Sequence, residues 1–455
     1  MAKEDNIVLG QGLDVEQLQK LAREGSAEDI LEYLQQTGLW DQVDVIREVL
    51  RSDPALSGKF ERLEQLFIKN RLVREFHVHS SFSDGLFSPA ELIEFAAEKG
   101  IAQMSVTDHD TIEGIEEARD AAERVGMDFV PGVELSAKWQ DKTVHILGYG
   151  FDVGRAHKDR EFMEQLEKVR QSDYRWAMEI CKKSQQEPII VTTEDGVEHK
   201  IFVTEDEIRA FKGDMPSYVQ FGVVIARKLA SISEELSMPE RNAEYIFFRK
   251  LEPHLATESC DPGLVERYRP LFEKFKINVP AKGCWRVERF QSAENAVNSI
   301  LKIGGLPVLS HPGEQELTEQ DIKEMARMGI RGIEIYSYKH SPDALKYYAA
   351  IARKHGLFIT SGTDFHDPWS RGKVGRNRQG EVLVKGVSIE DFRDMGAVVY
   401  ENSKSLTNEN NQGQVPNQSQ AGRSVEFAAF PRTLRPRSGE KLKLDPSPIL
   451  NSSGE

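Results

Sequence analysis

Cysteine is scarce in this sequence, three residues in 455, at Cys181, Cys260 and Cys284, and none belongs to a C-x-x-C pair. An odd, scattered set supports neither a disulfide framework nor a thiolate zinc site, so the three are read as buried or incidental. Long apolar runs are also missing: none approaches the roughly 20 residues that cross a bilayer, which excludes a helical membrane anchor. The first residues, MAKEDNIVLGQG, carry no basic stretch followed by an apolar core, so no secretory signal is read and the expected location is the cytoplasm. Positive charge is in deficit, with 59 Lys and Arg against 74 Asp and Glu and a net charge of −15. Generic duplex nucleic-acid binding needs a basic surface that neutralises phosphates, and this balance excludes it. A small anionic substrate stays compatible, because divalent cations make a pocket locally positive even in an acidic protein.

What is present is ordinary in bulk, 39% hydrophobic and 29% charged residues, and the length accommodates one large barrel-type domain with additions or two to three smaller domains. Less ordinary is the stretch FHVHSSFSD, Phe76 to Asp84. Two histidines and a carboxylate stand where a strand would be apolar. Residues two apart on a strand share a face, so His77 and His79 point the same way while Phe76 and Val78 pack behind. A Ser-rich turn then brings Asp84 back toward the strand end as an oxygen ligand. An isolated H-x-H is a weak signal, and its weight depends on what ends the later strands.

Residues 1–72 show helical periodicity, with Val15, Leu18, Leu21, Ile30, Leu31, Tyr33 and Leu34 at spacings of three and four and interruptions near Gly25, Gly38 and Asp53. Three or four short helices are expected there, forming a packing or partner-binding extension. From Leu72 short apolar runs alternate with amphipathic helices, the mark of parallel β/α units. Ser88, Pro89 and Glu91 start a helix over Ala90 to Lys99. The strand Gln103 to Val106 ends in Thr107, Asp108, His109 and Asp110, and a helix over Ile115 to Val125 follows. The strand Asp128 to Val133 closes at Glu134, and the strand Thr143 to Tyr149 contains His145.

An insertion follows, placed at 153–290. It reads as a charged helix (Glu161 to Gln185), a hairpin (Ile189 to Val203) and a capping box at Thr204 and Glu207. Helices are expected at Val219 to Leu229, Glu234 to Phe248 and Leu264 to Phe275; His157, His199 and His254 are isolated. The rhythm resumes with a helix over Ala293 to Ile303 and a strand, Gly305 to Ser310, that ends in His311. The strand Gly332 to Tyr336, a helix over Ser341 to His355 and the strand Leu357 to Ser361 come next, and the last leads into Asp364 and His366. A helix over Ile389 to Met395 and a strand over Ala397 to Tyr400 close the pattern. The division is therefore 1–72 extension, 73–152 and 291–402 the two parts of a barrel, and 403–455 a disordered tail rich in Asn, Gln, Ser and Pro.

Six of the eleven histidines and three carboxylates thus fall at or near strand ends on separate β/α units, where barrel folds gather their catalytic groups. The set is His77, His79, Asp84, His109, Glu134, His145, His311, Asp364 and His366. Imidazole and carboxylate without thiolate suits Mn, Fe or Zn, and spacing does not choose among them.

The motifs HVH with Asp84, TDHD, PGVE, HILGY, LSHPG and SGTDFH resemble those of the PHP family, named for polymerases and histidinol phosphatases, from about Val73 to about Arg378. The resemblance implies an α/β fold, a distorted (β/α)7 TIM-like barrel, around a cluster of two or three divalent metal ions. It implies that His77, His79, Glu134 and Asp364 hold one ion, that Glu134 bridges to a second held by His145 and His311, and that Asp84, His109 and His366 hold a third. None of the nine positions is substituted. The implied reaction is phosphoester hydrolysis by a metal-bridging water held by Glu134, Asp364 and His311. The context of PGVE, SHPG and DFH is most similar to the branch acting on nucleoside 3′,5′-bisphosphates and short 5′-phosphorylated, single-stranded RNA. The N-terminal helices and the length of the insertion depart from that branch.

Asp108 and Asp110 are read either as acceptors that orient ligating imidazoles or as ordinary loop residues. Arg371, Lys373 and Arg376 either grip a second phosphate or form a solvated basic loop, with His340 a weaker candidate of the same kind. Two rival readings stand beside the nucleotide phosphoesterase: a histidinol-phosphatase-like enzyme, and a metal-bound, non-catalytic scaffold that binds a macromolecular partner.

Overall fold

Side-chain capping starts the first two helices. Helices α1 (Val15–Glu24) and α2 (Ala27–Thr37) each open on a reciprocal capping box, from Asp14 with Gln17 and from Ser26 with Asp29. They are followed by α3 (Val43–Ser52) and α4 (Ser57–Lys69), so the extension is the group of short helices its periodicity predicts. Their apolar stripes, including Leu18, Ile30, Leu34, Ile46, Leu63 and Phe67, join one hydrophobic cluster with Val73, Val78, Leu92 and Met104 of the β/α region. The computed structural model describes residues 13–210, 218–237, 270–271, 273–277, 291–337, 339–366, 373–377 and 379–400, all within the unit Met1–Leu406. The tail at 403–455, Cys260, Cys284, His254, Arg371 and most of the two later insertion helices lie outside the described residues.

The β/α region is a mixed α/β structure, but its hydrogen bonding differs from the expected parallel barrel. Strands β1 (Arg74–Glu75), β2 (Gln103–Met104) and β3 (Asp128–Phe129) form a short parallel sheet. The strands that follow are β4 (Gly132–Trp139), β5 (Lys142–Tyr149), β6 (Ile189–Thr192), β7 (Glu198–Ile201), β8 (Gln291–Ser292), β9 (Leu306–Leu309), β10 (Gly332–Tyr336) and β11 (Phe358–Ser361). A six-stranded sheet runs β11-β10-β9-β5-β4-β8, and in it β5 is antiparallel to both β4 and β9. Among the described residues the ladders do not close. Isolated bridges, Val78 with Phe365 and His109 with Glu134, join residues just beyond β1 and β2 to the larger sheet.

Two strand assignments change as a result. The turn at Gln140 and Asp141 lets β4 continue through Trp139 and fold back on β5, so Glu134 lies inside a strand rather than at its end. Ala397 to Tyr400 is not a strand: Tyr400 makes a single antiparallel bridge to Phe129. Phe76 and Val78 also part company. Phe76 packs with Leu147, Tyr149, Val308 and Phe392, whereas Val78 belongs to the main cluster.

In the insertion, one helix (Arg160–Gln186) and the antiparallel pair β6 and β7 appear as expected. Trp176, Ile180, Val191, Ile201, Phe221 and Leu229 gather there in a hydrophobic cluster of their own. Among the described residues no helix is long and apolar enough to cross a membrane.

Candidate metal centre

Register places the central ligands. β4 and β5 pair Glu134 with Leu147 and Ser136 with His145. Paired residues of a pleated ladder point to one side, so Glu134 and His145 share a face. The opposite face carries Val133, Leu135, Val144 and Ile146, all buried, and there a Cβ on Gly148 would stand 2.9 Å from Ile300 of the covering helix Ala293–Lys302. Two further glycines close the site by having no side chain. A Cβ at Gly85 would lie 2.0 Å from the His79 carbonyl oxygen, and one at Gly362 would lie 2.3 Å from Cβ of His77. The first permits the turn that returns Asp84 to His79, and the second lets the chain after β11 approach His77.

The nine predicted residues converge. His77 Nε2 and His79 Nε2 are 3.2 Å apart, and each is 3.2 Å from Glu134 Oε2. Asp364 Oδ1 completes this group at 3.3 Å from His77 and 2.9 Å from His79. The other Glu134 oxygen, Oε1, faces His145 Nδ1 at 3.2 Å and His311 Nε2 at 3.5 Å. Asp84 Oδ1 lies 3.1 Å from His366 Nε2, 3.7 Å from His79 Nδ1 and 4.0 Å from His109 Nε2. His109 serves two groups, since its Nδ1 is 3.2 Å from Glu134 Oε2.

Most of these separations fit cations, those at Glu134 and Asp364 best. Ligands about 2.1 Å from one ion stand about 3.0–3.4 Å from each other in octahedral or tetrahedral geometry. Both Glu134 oxygens, His109 Nδ1 and His145 Nδ1 are buried without a directed hydrogen bond, although ion-pairing atoms stand 3.2 Å away. Buried polar atoms left this way are costly unless something else binds them. The donor set of imidazole nitrogen and carboxylate oxygen is that of divalent cations.

The electrostatics agree. Burial opposes ionisation of Glu134, but His77, His109 and His145 outweigh it and hold the carboxyl well below its ordinary range. Asp364 is held low in the same way by Lys339, His366 and His77 against burial, and Asp84 by His366, His109 and His79. Burial drives His109 down to about 3. The centre is therefore a basket of ionised carboxylates and imidazoles, buried at His77, His79 and Glu134 and partly open at Asp84, His109 and His145. Asp110, His311 and Asp364 have positive φ, 52°, 21° and 51°, a conformation that costs non-glycine residues energy and clusters at functional sites.

A family profile described as the PHP domain matches residues 75–214. The 3',5'-nucleoside bisphosphate phosphatase of Chromobacterium violaceum is 30% identical over 304 residues, 66% of this chain and 89% of that protein. The chain belongs to the PHP family. It is thereby a hydrolase of phosphate esters. Two other PHP relatives are more distant. The 5'-3' exoribonuclease Rnm of Salmonella typhimurium is 26% identical over 70% of this chain and 92% of its own. The phosphoribosyl 1,2-cyclic phosphate 1,2-diphosphodiesterase of Eggerthella lenta is 27% identical over 67% of this chain and 96% of its own.

Around the PHP centre the remaining candidates separate. Asp108 does not touch an imidazole: it accepts from Ser80 N and Oγ, both at 2.6 Å, and from Ser83 Oγ at 2.7 Å. It reaches His79 only through Ser83, whose Oγ is 3.5 Å from His79 Nδ1. Asp110 accepts from Ser136 N at 3.0 Å, and burial raises its pKa to about 6. His340 is buried with Nδ1 2.8 Å from the Ile335 carbonyl and Nε2 accepting from Gly313 N at 3.1 Å. Both ring nitrogens are thus committed to backbone, which removes His340 as a phosphate contact. Arg376 donates to the Gly380 carbonyl within its own loop, and Lys373 is exposed.

Three charged residues escaped the sequence reading. Glu334 accepts from His77 and from His311 N, while Glu314 and Lys339 contact His311 and Asp364 respectively. The signal for Glu334 was a carboxylate between isoleucines in GIEIY.

Proposed function

We propose that this PHP enzyme hydrolyses a phosphomonoester or short nucleotide phosphodiester, a nucleoside 3′,5′-bisphosphate or a 5′-phosphorylated single-stranded oligonucleotide. Two or three divalent cations of the Mn, Fe or Zn kind would be held by His77, His79, Asp84, His109, Glu134, His145, His311, Asp364 and His366. The observation that carries the reading is Glu134, fully buried with each oxygen turned to a different set of imidazoles. Bound cations would lower the pKa of water toward neutrality and neutralise charge on the phosphoryl oxygens. Glu134, Asp364 and His311 converge from β4 and from the loops after β11 and β9, and are assigned to orient the attacking water. The activities of the bisphosphate phosphatase and the exoribonuclease support the substrate class. The same reading takes the two sheets as parts of one distorted (β/α)7 barrel, supported by the bridges Val78 to Phe365 and His109 to Glu134.

The test is a Mn²⁺-supplemented assay with a nucleoside 3′,5′-bisphosphate, a short 5′-phosphorylated RNA and histidinol phosphate side by side. Release of phosphate or mononucleotide from the first two is expected, and His77→Ala or Asp364→Ala abolishes it. Full rate with unchanged metal content in those variants rejects the site. Clear preference for histidinol phosphate rejects the substrate class.

A further inference from the structure

Two loops that carry or adjoin metal-centre residues are tied together by charged side chains that the cluster itself does not use. His311 follows β9, and Glu314, three residues on, places Oε2 3.1 Å from His311 Nδ1. The same oxygen lies 2.9 Å from Lys339 Nζ, in the loop after β10. The Lys339 ammonium in turn pairs with Asp364 Oδ2, while Asp364 Oδ1 faces His77 and His79. The path His311, Glu314, Lys339, Asp364 therefore runs along the rim and occupies on each end residue the atom that points away from the cluster. His340 seats it: its ring bonds the Ile335 carbonyl and Gly313 N, so the two loops are fixed in register. Gly313 is required there, since a Cβ would stand 2.6 Å from the His340 ring.

We propose that Glu314 and Lys339 are positioning residues, a carboxylate–ammonium strap that orients His311 and Asp364 for cation binding. A carboxylate on Nδ1 holds His311 as the Nδ1–H tautomer, which leaves Nε2, 3.5 Å from Glu134 Oε1, as the lone-pair donor. Gln315 is placed with Nε2 3.2 Å from His311 Nδ1 and Oε1 buried without a partner; with the amide turned over, its oxygen would meet Nδ1–H and serve the same tautomer. Lys339 holds Asp364 by one oxygen, so the other stays directed at the imidazoles. The inference rests on the ligand reading of His311 and Asp364.

The experiment uses full-length protein. Histidine-selective ¹⁵N spectra of chelator-stripped protein report the His311 tautomer, and Mn²⁺ titration against a competing chromophoric chelator reports affinity. Wild type is expected to show Nδ1–H at His311. Glu314→Ala shifts it toward Nε2–H and weakens Mn²⁺ binding about 10- to 100-fold, with kcat reduced and KM little changed, and Glu314→Gln restores the tautomer. Adding Lys339→Met to Glu314→Ala changes kcat by less than Lys339→Met does alone, because the two act as one unit. Unchanged tautomer and Mn²⁺ affinity in Glu314→Ala overturn the proposal, as does a rise in KM for Lys339→Met that is independent of Glu314 and would make Lys339 a substrate contact. His311→Ala separates the two readings: if it binds Mn²⁺ like wild type, the ligand assignment itself fails.

Discussion

His77 Nδ1 lies 2.9 Å from Glu334 Oε1, with both side chains fully buried. The carboxylate holds the far side of an imidazole whose Nε2 faces Glu134 and Asp364, and its second oxygen accepts His311 N at 3.0 Å. One group on β10 thus fixes a side chain after β1 and the backbone after β9. Carboxylates behind ligating histidines are worth about 10- to 100-fold in metal affinity or activity. Glu334→Ala is therefore expected to weaken Mn²⁺ binding by about that factor, with Glu334→Gln losing less because it keeps one acceptor. Calorimetric titration of both variants checks this, and wild-type affinity in Glu334→Ala would show that His77 needs no such support.

Cation removal should cost stability as well as activity. Asp84 and Glu134 are held ionised against burial by imidazoles, and Asp364 by Lys339 together with imidazoles, a charge balance that cations at the same atoms would take over. A cation that binds only the folded state adds RT ln(1 + [L]/Kd), about 2.7 kcal/mol per site at 100 times Kd. Chelator-stripped protein should therefore melt lower than protein with excess Mn²⁺, and His109→Ala should shrink the difference. Coincident melting curves with and without Mn²⁺ would contradict the assignment.

The parts of this architecture that were legible in sequence are those specified locally. Ser88 and Glu91 mark a capping box, and the helix runs Pro89–Glu98, one residue from the expected Ala90 to Lys99. The helix Ile115–Val125 ends at Gly126 with φ 77°, where its sequence places it. The two-residue period put His77 and His79 on one side. The antiparallel course of β5 was not legible, because the turn at Gln140 carries φ 54° without the Gly that announces such turns. Lys339 and Glu334 left little trace for a different reason. The partners of Glu334 and Lys339 at His77 and Asp364 are 257 and 25 residues away, and a charge near a strand end says nothing of which imidazole it will meet.

Cys181 supplies a prediction with a defined pH dependence. Its thiol is fully buried, and burial together with Glu205 and Glu207 raises its pKa to about 12. The thiolate is the reactive form, so the fraction available at pH 8 is about 10⁻⁴, and the rate with a thiol-specific reagent should climb about tenfold per pH unit below 12. In a Cys260→Ser, Cys284→Ser background, native protein at pH 8 should react far more slowly than urea-unfolded protein, which should show a single fast thiol. Rapid native labelling would place Cys181 at the surface.

Arg47 links the N-terminal helices to the β/α region through buried polar contacts. Its side chain is 2% exposed, with Nη2 2.6 Å from Glu64 Oε1, Nη1 3.7 Å from Glu381, and Nη2 donating to the Val382 carbonyl at 3.0 Å. Glu64 reciprocates by accepting Val382 N at 2.9 Å. Through Leu383 N to Gly375 O and Gly375 N to Glu75, this pairing reaches the carboxylate that also accepts from Thr363 N, next to Asp364. Removing one partner of a buried ion pair strands the other, at about 3–5 kcal/mol. Arg47→Ala is expected to lower the unfolding free energy by about that amount, read as a fall in the urea midpoint at unchanged m, with little salt dependence. The pair Arg62 and Glu28 joins α4 to α2 at 2.7 Å, but both side chains are half exposed, and water and salt screen it. Arg62→Ala should leave the midpoint unchanged within error. Equal losses in the two variants would mean that burial does not set the worth of these pairs, and that the extension is not anchored through Arg47.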